Sequence, residues 1–102
     1  MVTTLLYIHD PMCSWCYAFV SSLTALQKEL PDFIRIKKIV GGLAPDTTNP
    51  MPVELQQKIQ QTWRRIEQTV PNMKFNYDFW MINTAVRSTY PACRAVLAAR
   101  QQ

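Results

Sequence analysis

The residues of this 102-residue sequence best suited to chemistry are the two cysteines of a Cys-x-x-Cys motif, Cys13 and Cys16. Residues three apart in the first turn of a helix face the same side, so their sulfurs can bond with little adjustment. A helix N-terminus stabilises an anion, which predicts a lowered pKa and a reactive thiolate at Cys13. The spacing therefore favours thiol-disulfide exchange, with Cys13 as the nucleophile and Cys16 as a buried resolving thiol.

The neighbours of the pair have types that could assist this chemistry. His9 could shuttle protons or add positive charge beside the thiolate. Asp10, followed by Pro11, has the pattern of a helix cap and could assist proton transfer from the buried thiol. Ser14 and Trp15 lie between the cysteines, where hydroxyl or backbone bonds to sulfur and desolvation by the indole would tune the redox balance.

Two other uses of the cysteines stay open. Zinc takes four Cys or His ligands, and Cys93 and His9 could complete such a set with the pair. A second paired ligand motif is missing, and the helix-start position favours redox use, so we expect neither a metal nor a cofactor. The pair could also be inert and buried, and Cys93, in an alanine-rich segment, is predicted to be a small core residue.

The motif is placed by a strand and a helix. Residues 4–8 form a short β-prone apolar run that ends at residues 9–11. From Cys16 to Leu30 apolar residues recur every three or four positions, which predicts a buried amphipathic helix that must end by Pro31. Residues 33–40 predict a second strand, ended by two glycines. A strand, helix and strand in this order form a βαβ unit with parallel strands.

The remainder predicts helices. After a proline-rich loop, a second amphipathic helix begins at residue 52 or 53 and ends by residue 70. The aromatic-rich residues 72–83 show no period and predict a loop with a short helical turn, and a third helix begins near residue 90. Two parallel strands cannot bury both of their faces. We therefore expect missing strands and an exposed edge, with homo-oligomers forming through the incomplete sheet.

The composition excludes several classes of protein. A hydrophobic fraction of 48% and a charged fraction of 18% are typical of a globular chain. The net charge of +4 is spread without a dense basic run, so no nucleic-acid partner is expected. No apolar run is long enough to span a bilayer and no signal-peptide pattern is found, which predicts a cytoplasmic protein without a membrane partner. Three cysteines, an odd number, argue against a framework of structural disulfides.

The motif and four other blocks together resemble the DsbA-like thioredoxin-fold family of cytosolic FrnE type. The blocks are residues 41–43 (Gly-Gly-Leu), Trp63, residues 75–80 and residues 88–96. The resemblance covers the N-terminal half of the family and implies an α/β fold: a thioredoxin-like βαβ segment at residues 1–44, a helical insertion at residues 45–102, and no C-terminal part of the sheet. It assigns the catalytic pair to Cys13 and Cys16, and none of the prolines is a candidate for the family's cis-proline.

The expected function is that of an enzyme, a protein dithiol-disulfide oxidoreductase. Its expected partners are disulfide- or thiol-containing proteins and small thiols such as glutathione. A related glutathione-dependent transferase or isomerase is less favoured, because Cys16 supplies a second thiol. The alternative from another class is a non-catalytic helical interaction module with a redox-sensitive or zinc-binding cysteine pair.

Overall fold

The computed structural model describes residues 1–102 as one pair of strands and four helices. In chain order the elements are β1 (Thr3–His9), α1 (Ser14–Glu29), β2 (Ile34–Val40), α2 (Val53–Thr69), α3 (Phe79–Ile82) and α4 (Tyr90–Ala99). This order confirms the α/β class and the truncated thioredoxin-like fold expected from the sequence. None of the helices combines the length and the apolar character needed to cross a bilayer.

The first three elements form a βαβ unit. Strand β1 pairs in parallel with β2, in a register that runs from Thr3 opposite Ile34 to His9 opposite Val40. Because parallel strands share one carboxyl edge, the segments that leave β1 and β2 begin side by side. Open α/β sheets bind their ligands at this edge. The segment leaving β1 carries the cysteine pair.

The turn after β2 requires a glycine. Gly42 has φ +69°, a conformation that other residues rarely adopt. A Cβ atom at this position would lie 2.9 Å from Cε1 of Tyr90. The start of α4 therefore packs directly against the backbone of the turn that leaves β2.

An aromatic cluster packs around α2. Four rings surround the Trp63 indole at ring-centroid distances of 4.7 to 6.3 Å: Phe75, Tyr77, Phe79 and Trp80. Trp63 and these four residues are the aromatic cluster. The Glu67 carboxylate accepts hydrogen bonds from the Phe75 backbone N–H (2.9 Å) and the Tyr77 hydroxyl (2.6 Å). These bonds fold the segment after α2 back onto the helix. The predicted short turn within residues 72–83 is α3.

The core is small and one side of the molecule is open. Only 9 of 102 residues are buried, and the radius of gyration is 16.0 Å, against about 13 Å for a compact domain of this length. Cys93, which is 7% exposed, is one of the buried residues, as predicted.

The predicted burial of the apolar stripe on α1 is wrong. Only Ala18 and Leu23 are buried on this helix, whereas Phe19 is 43% and Val20 is 55% exposed. The spacing of the stripe is helical, but no further strand or helix lies over it. Most of β1 is exposed as well.

Candidate redox site

The cysteine pair lies at the N-terminus of α1. Cys13 is the N-cap residue and Cys16 lies in the first turn. The two cysteines are free and 3.4 Å apart, so a disulfide between them needs only a small movement. The expected burial of Cys16 is wrong, because both cysteines are only half-buried. Cys16 lies on the same poorly covered helix as Phe19 and Val20.

The electrostatics of Cys13 also differ from expectation. Burial raises the pKa of its thiol, and the neighbouring Cys16 thiol raises it further. The nearby backbone N–H groups of Cys16 and Trp15 lower the pKa, but they do not offset the other effects. The predicted lowering of the Cys13 pKa is therefore wrong. The helix start supplies the expected donors, and burial beside a second thiol outweighs them.

Asp10 does not cap α1. The helix begins at Ser14, after Cys13, and no side chain caps it. Asp10 is instead 2% exposed, with Oδ1 accepting from the Met12 backbone N–H (2.8 Å) and Oδ2 from the Leu43 backbone N–H (2.9 Å). Its carboxylate thus ties the turn that precedes the cysteines to the segment that leaves β2.

The third cysteine also contacts this carboxylate. The Cys93 thiol donates to Oδ2 of Asp10 at 3.7 Å, so α4 is linked to the same point. Burial raises the pKa of Asp10, but the donors from Leu43, Thr89, Met12 and Cys93 together lower it below its ordinary value. Asp10 is consequently a buried ion. Burial and this negative charge both raise the pKa of Cys93.

Thr89 is a residue of this network that the sequence reasoning did not single out. It is 3% exposed, and its hydroxyl oxygen accepts from the backbone N–H groups of Leu43 (3.1 Å) and Ala44 (3.0 Å). Its position immediately before α4 was the available signal, because threonine is common at helix starts. Thr89 is the N-cap residue of α4, but its side chain makes no capping hydrogen bond and holds the turn after β2 instead.

A small cavity of about 200 Å³ lies beside Cys16. Tyr7, His9 and Pro11 line it together with Cys16. The His9 ring stacks on Tyr7 at a centroid distance of 5.3 Å, and its Nε2 is buried without a hydrogen-bond partner. Tyr7 was missed from sequence, although its position two residues before His9 places it on the same face of β1.

A larger cavity of about 350 Å³ lies beside Cys13. Apolar side chains dominate its wall, and it lies between the βαβ unit and the residues that follow; Cys13, Trp15, Leu43, Met51, Trp63 and Arg87 are among its lining residues. Trp63 also donates its indole N–H to the Ser14 hydroxyl at 2.7 Å. Trp15 is 42% exposed. The chain therefore offers a reactant a recess at Cys13, with the two residues between the cysteines at its edge.

The zinc alternative finds no ligand set. No group of three or more His, Cys, Asp or Glu side chains comes close enough together to hold a metal ion. His9 lines the cavity beside Cys16, whereas Cys93 faces the Asp10 carboxylate. The four candidate ligands therefore do not come together at one point: Cys13, Cys16, His9 and Cys93.

Comparison with known proteins identifies the family. The model of the DSBA-like thioredoxin domain matches residues 4–102. This chain belongs to the DsbA-like thioredoxin family. The family assignment confirms the resemblance drawn from the sequence, and thiol-disulfide oxidoreduction is the activity it supports at family level. No curated protein sequence matches the chain.

Solved DsbA-like structures give the same result. A candidate protein disulfide isomerase from Nitrosomonas europaea matches with a TM-score of 0.80 and 30% identity over 94% of this chain. The cytosolic disulfide reductase DsbM from Pseudomonas aeruginosa matches with a TM-score of 0.67 and 33% identity over 96% of the chain, and a structure of DsbM with GSH matches with a TM-score of 0.64 and 32% identity. This chain spans only 45% and 46% of the lengths of those proteins.

Proposed function

We propose that this chain carries out thiol-disulfide exchange through Cys13 and Cys16, as a protein dithiol-disulfide oxidoreductase of the DsbA-like family. The observation that carries the proposal is the pair of free cysteines, 3.4 Å apart, at the start of α1. Cys13 is the proposed nucleophile because it lines the larger cavity, in which a substrate sulfur has room to approach. Cys16 is the proposed resolving thiol.

The proposed reaction has two exchanges. In the first, the Cys13 thiolate attacks one sulfur of a substrate disulfide, forms a mixed disulfide with it and releases the other sulfur as a thiolate, which takes up a proton. In the second, Cys16 loses its proton and attacks the Cys13 sulfur, which releases the reduced substrate. Two electrons pass to the substrate, and the reverse sequence oxidises a dithiol. The unpartnered Nε2 of His9 beside Cys16 supports His9 as the acceptor of that proton.

The other residues near the pair have proposed supporting roles. Asp10 and Pro11 shape the turn that presents Cys13, and the bonds from Met12 and Leu43 to Asp10 support a positioning role for this carboxylate. No cation forms an ion pair with the Asp10 carboxylate, so its negative charge polarises the hydrogen-bond donors around it. Ser14 and Trp15 form the edge of the recess where the substrate sulfur would lie.

The proposed substrates are disulfide- or thiol-containing proteins and small thiols such as glutathione. The similarity to DsbM, which has been solved with GSH, supports a small thiol, and the same similarity supports the cytosol as the location. We keep the division into a thioredoxin-like segment (residues 1–44) and a helical insertion (residues 45–102) as part of the proposal. The larger cavity between these segments would then bind the reactant.

Three variants test the proposal against glutathione disulfide. Cys13→Ser should abolish exchange, and Cys16→Ser should accumulate a mixed disulfide on Cys13, seen by mass spectrometry as a glutathione adduct. Cys93→Ala, which removes the buried third thiol, should retain exchange and serves as the control. Exchange that survives in Cys13→Ser would refute the mechanism and favour the non-catalytic interaction module. Exchange with a disulfide-bonded protein, measured in parallel, tests the wider substrate range.

A further inference from the structure

One polar contact joins α2 to the residues between the two cysteines. The Trp63 indole Nε1–H donates to the Ser14 hydroxyl oxygen at 2.7 Å, across 49 positions of sequence. Ser14 is the first residue of α1. The bond therefore connects the helix that carries the aromatic cluster with the turn in which the cysteines lie.

The donor is held firmly. Trp63 stacks on Phe75 at a centroid distance of 4.7 Å and packs against Trp80 at 5.1 Å. An edge contact with Tyr77 at 5.6 Å adds a third ring, and the Tyr77 hydroxyl is itself bonded to Glu67. Because these contacts fix the indole plane, its N–H has a fixed direction and the bond restricts the Ser14 side chain at small entropic cost.

The residues that follow Ser14 act on the nucleophile. Burial and the Cys16 thiol raise the pKa of Cys13, while the nearby backbone N–H groups of Cys16 and Trp15 lower it and so favour its thiolate. The other titratable or charged groups near Cys13 are Tyr7 of β1, whose pKa is raised by burial and by the cysteines, and Arg87 in the wall of the larger cavity. Loosening of the first turn of α1 would weaken the influence of these two N–H groups on Cys13 and leave the opposing effects in place.

We propose that Trp63 is a positioning residue for the redox pair: its N–H fixes Ser14 and so holds the first turn of α1, at which Cys13 and Cys16 lie. This inference rests on the proposed function of Cys13 as the nucleophile. In this role Trp63 acts through Ser14 and the backbone. The helical part of the chain thereby sets the reactivity of the cysteine pair.

The test is the pH dependence of Cys13 alkylation by iodoacetamide, followed on the Cys13 peptide by mass spectrometry. Trp63→Phe keeps an aromatic ring in the cluster and removes the donor. It should move the midpoint of the profile upward by about half a pH unit, the size expected for one neutral hydrogen bond acting on one ionisation. Ser14→Ala should give the same shift, and the double variant should give no further shift.

The cluster supplies a matched control. Trp80 packs in the same cluster, but its indole N–H is buried without a partner, so Trp80→Phe should leave the midpoint unchanged. Equal midpoints for Trp63→Phe and Trp80→Phe would overturn the inference. If Trp63→Phe fails to fold by circular dichroism, Ser14→Ala and Ser14→Thr decide: a shift in the first with recovery in the second supports positioning, and no shift in the first overturns it.

The same variants separate this inference from the proposed function. A midpoint shift in Trp63→Phe, together with glutathione exchange that persists in Cys13→Ser, would show that positioning holds and that the proposed function is wrong. Loss of exchange in Cys13→Ser, together with an unshifted midpoint in Trp63→Phe, would show the reverse.

Discussion

Replacement of Asp10 with asparagine should destabilise the fold more than any surface change. The carboxylate accepts two backbone N–H groups at 2.8 and 2.9 Å and is 2% exposed. Hydrogen bonds to a charged group contribute about 1.5–3 kcal/mol each, and a buried donor left unpaired costs about 1–3 kcal/mol. Asparagine offers one acceptor and places its NH₂ against the other N–H, so we expect a loss of about 2–4 kcal/mol. For a chain with so small a core, that is a large part of the free energy of unfolding.

Urea denaturation at a fixed protein concentration, followed by tryptophan fluorescence, measures this loss. The control is Asp46→Asn, which removes an exposed ion pair with Arg94 and should change the midpoint very little. Equal midpoints for the two variants would refute the assignment of Asp10 as the buried tie between the turn before the cysteines and the segment after β2.

The pH dependence gives a second test of the same residue. The folded pKa of Asp10 lies below its ordinary value, so its carboxylate contributes stability that is full above the unfolded pKa of about 3.9 and is lost as the pH falls through the folded pKa. The difference in stability between wild type and Asp10→Asn should be constant near neutral pH and shrink in acid. A difference that stays the same at acid pH would show that the charge is not responsible.

Two further predictions concern the open face and the nucleophile. The exposed apolar strands and helix should cause self-association, so sedimentation should show a mass that rises with protein concentration. Leu6→Lys on β1, which changes a side chain that is 54% exposed, should reduce this self-association. A monomer at every concentration would contradict the prediction. Because burial and the Cys16 thiol raise the pKa of Cys13, its alkylation rate should keep rising above pH ~8.5. The stability that comes from the protonated Cys13 thiol should be full below the unfolded pKa and should decline as the pH rises through the folded pKa. An alkylation rate that reaches a plateau in mild acid would refute the raised pKa.

Features fixed by neighbouring residues were predictable from the sequence. Pro31 ends α1 because proline cannot continue the helix, and the glycines after β2 end that strand, so the βαβ unit follows from local rules. The role of Asp10 could not be found in this way. An aspartate followed by proline suits both a helix cap and a turn, and the contact that decides between them comes from Leu43, 33 positions away. The prediction of a lowered Cys13 pKa was wrong for a similar reason, because burial is a property of the whole fold.

The packing of the aromatic segment after α2 also depends on contacts that a local sequence pattern does not show. Its rings show no period because each packs on Trp63 from a different direction, so the sequence indicates a loop where the structure has an ordered support for an indole donor. Two long-range contacts then meet on the redox turn, one from Trp63 to Ser14 and one from Cys93 to Asp10. Both donors lie beyond residue 44. A thioredoxin-like segment by itself would keep the cysteines and the Leu43 contact but lose both donors, and the loss of the Trp63 donor is the one that we infer would change the reactivity of the pair.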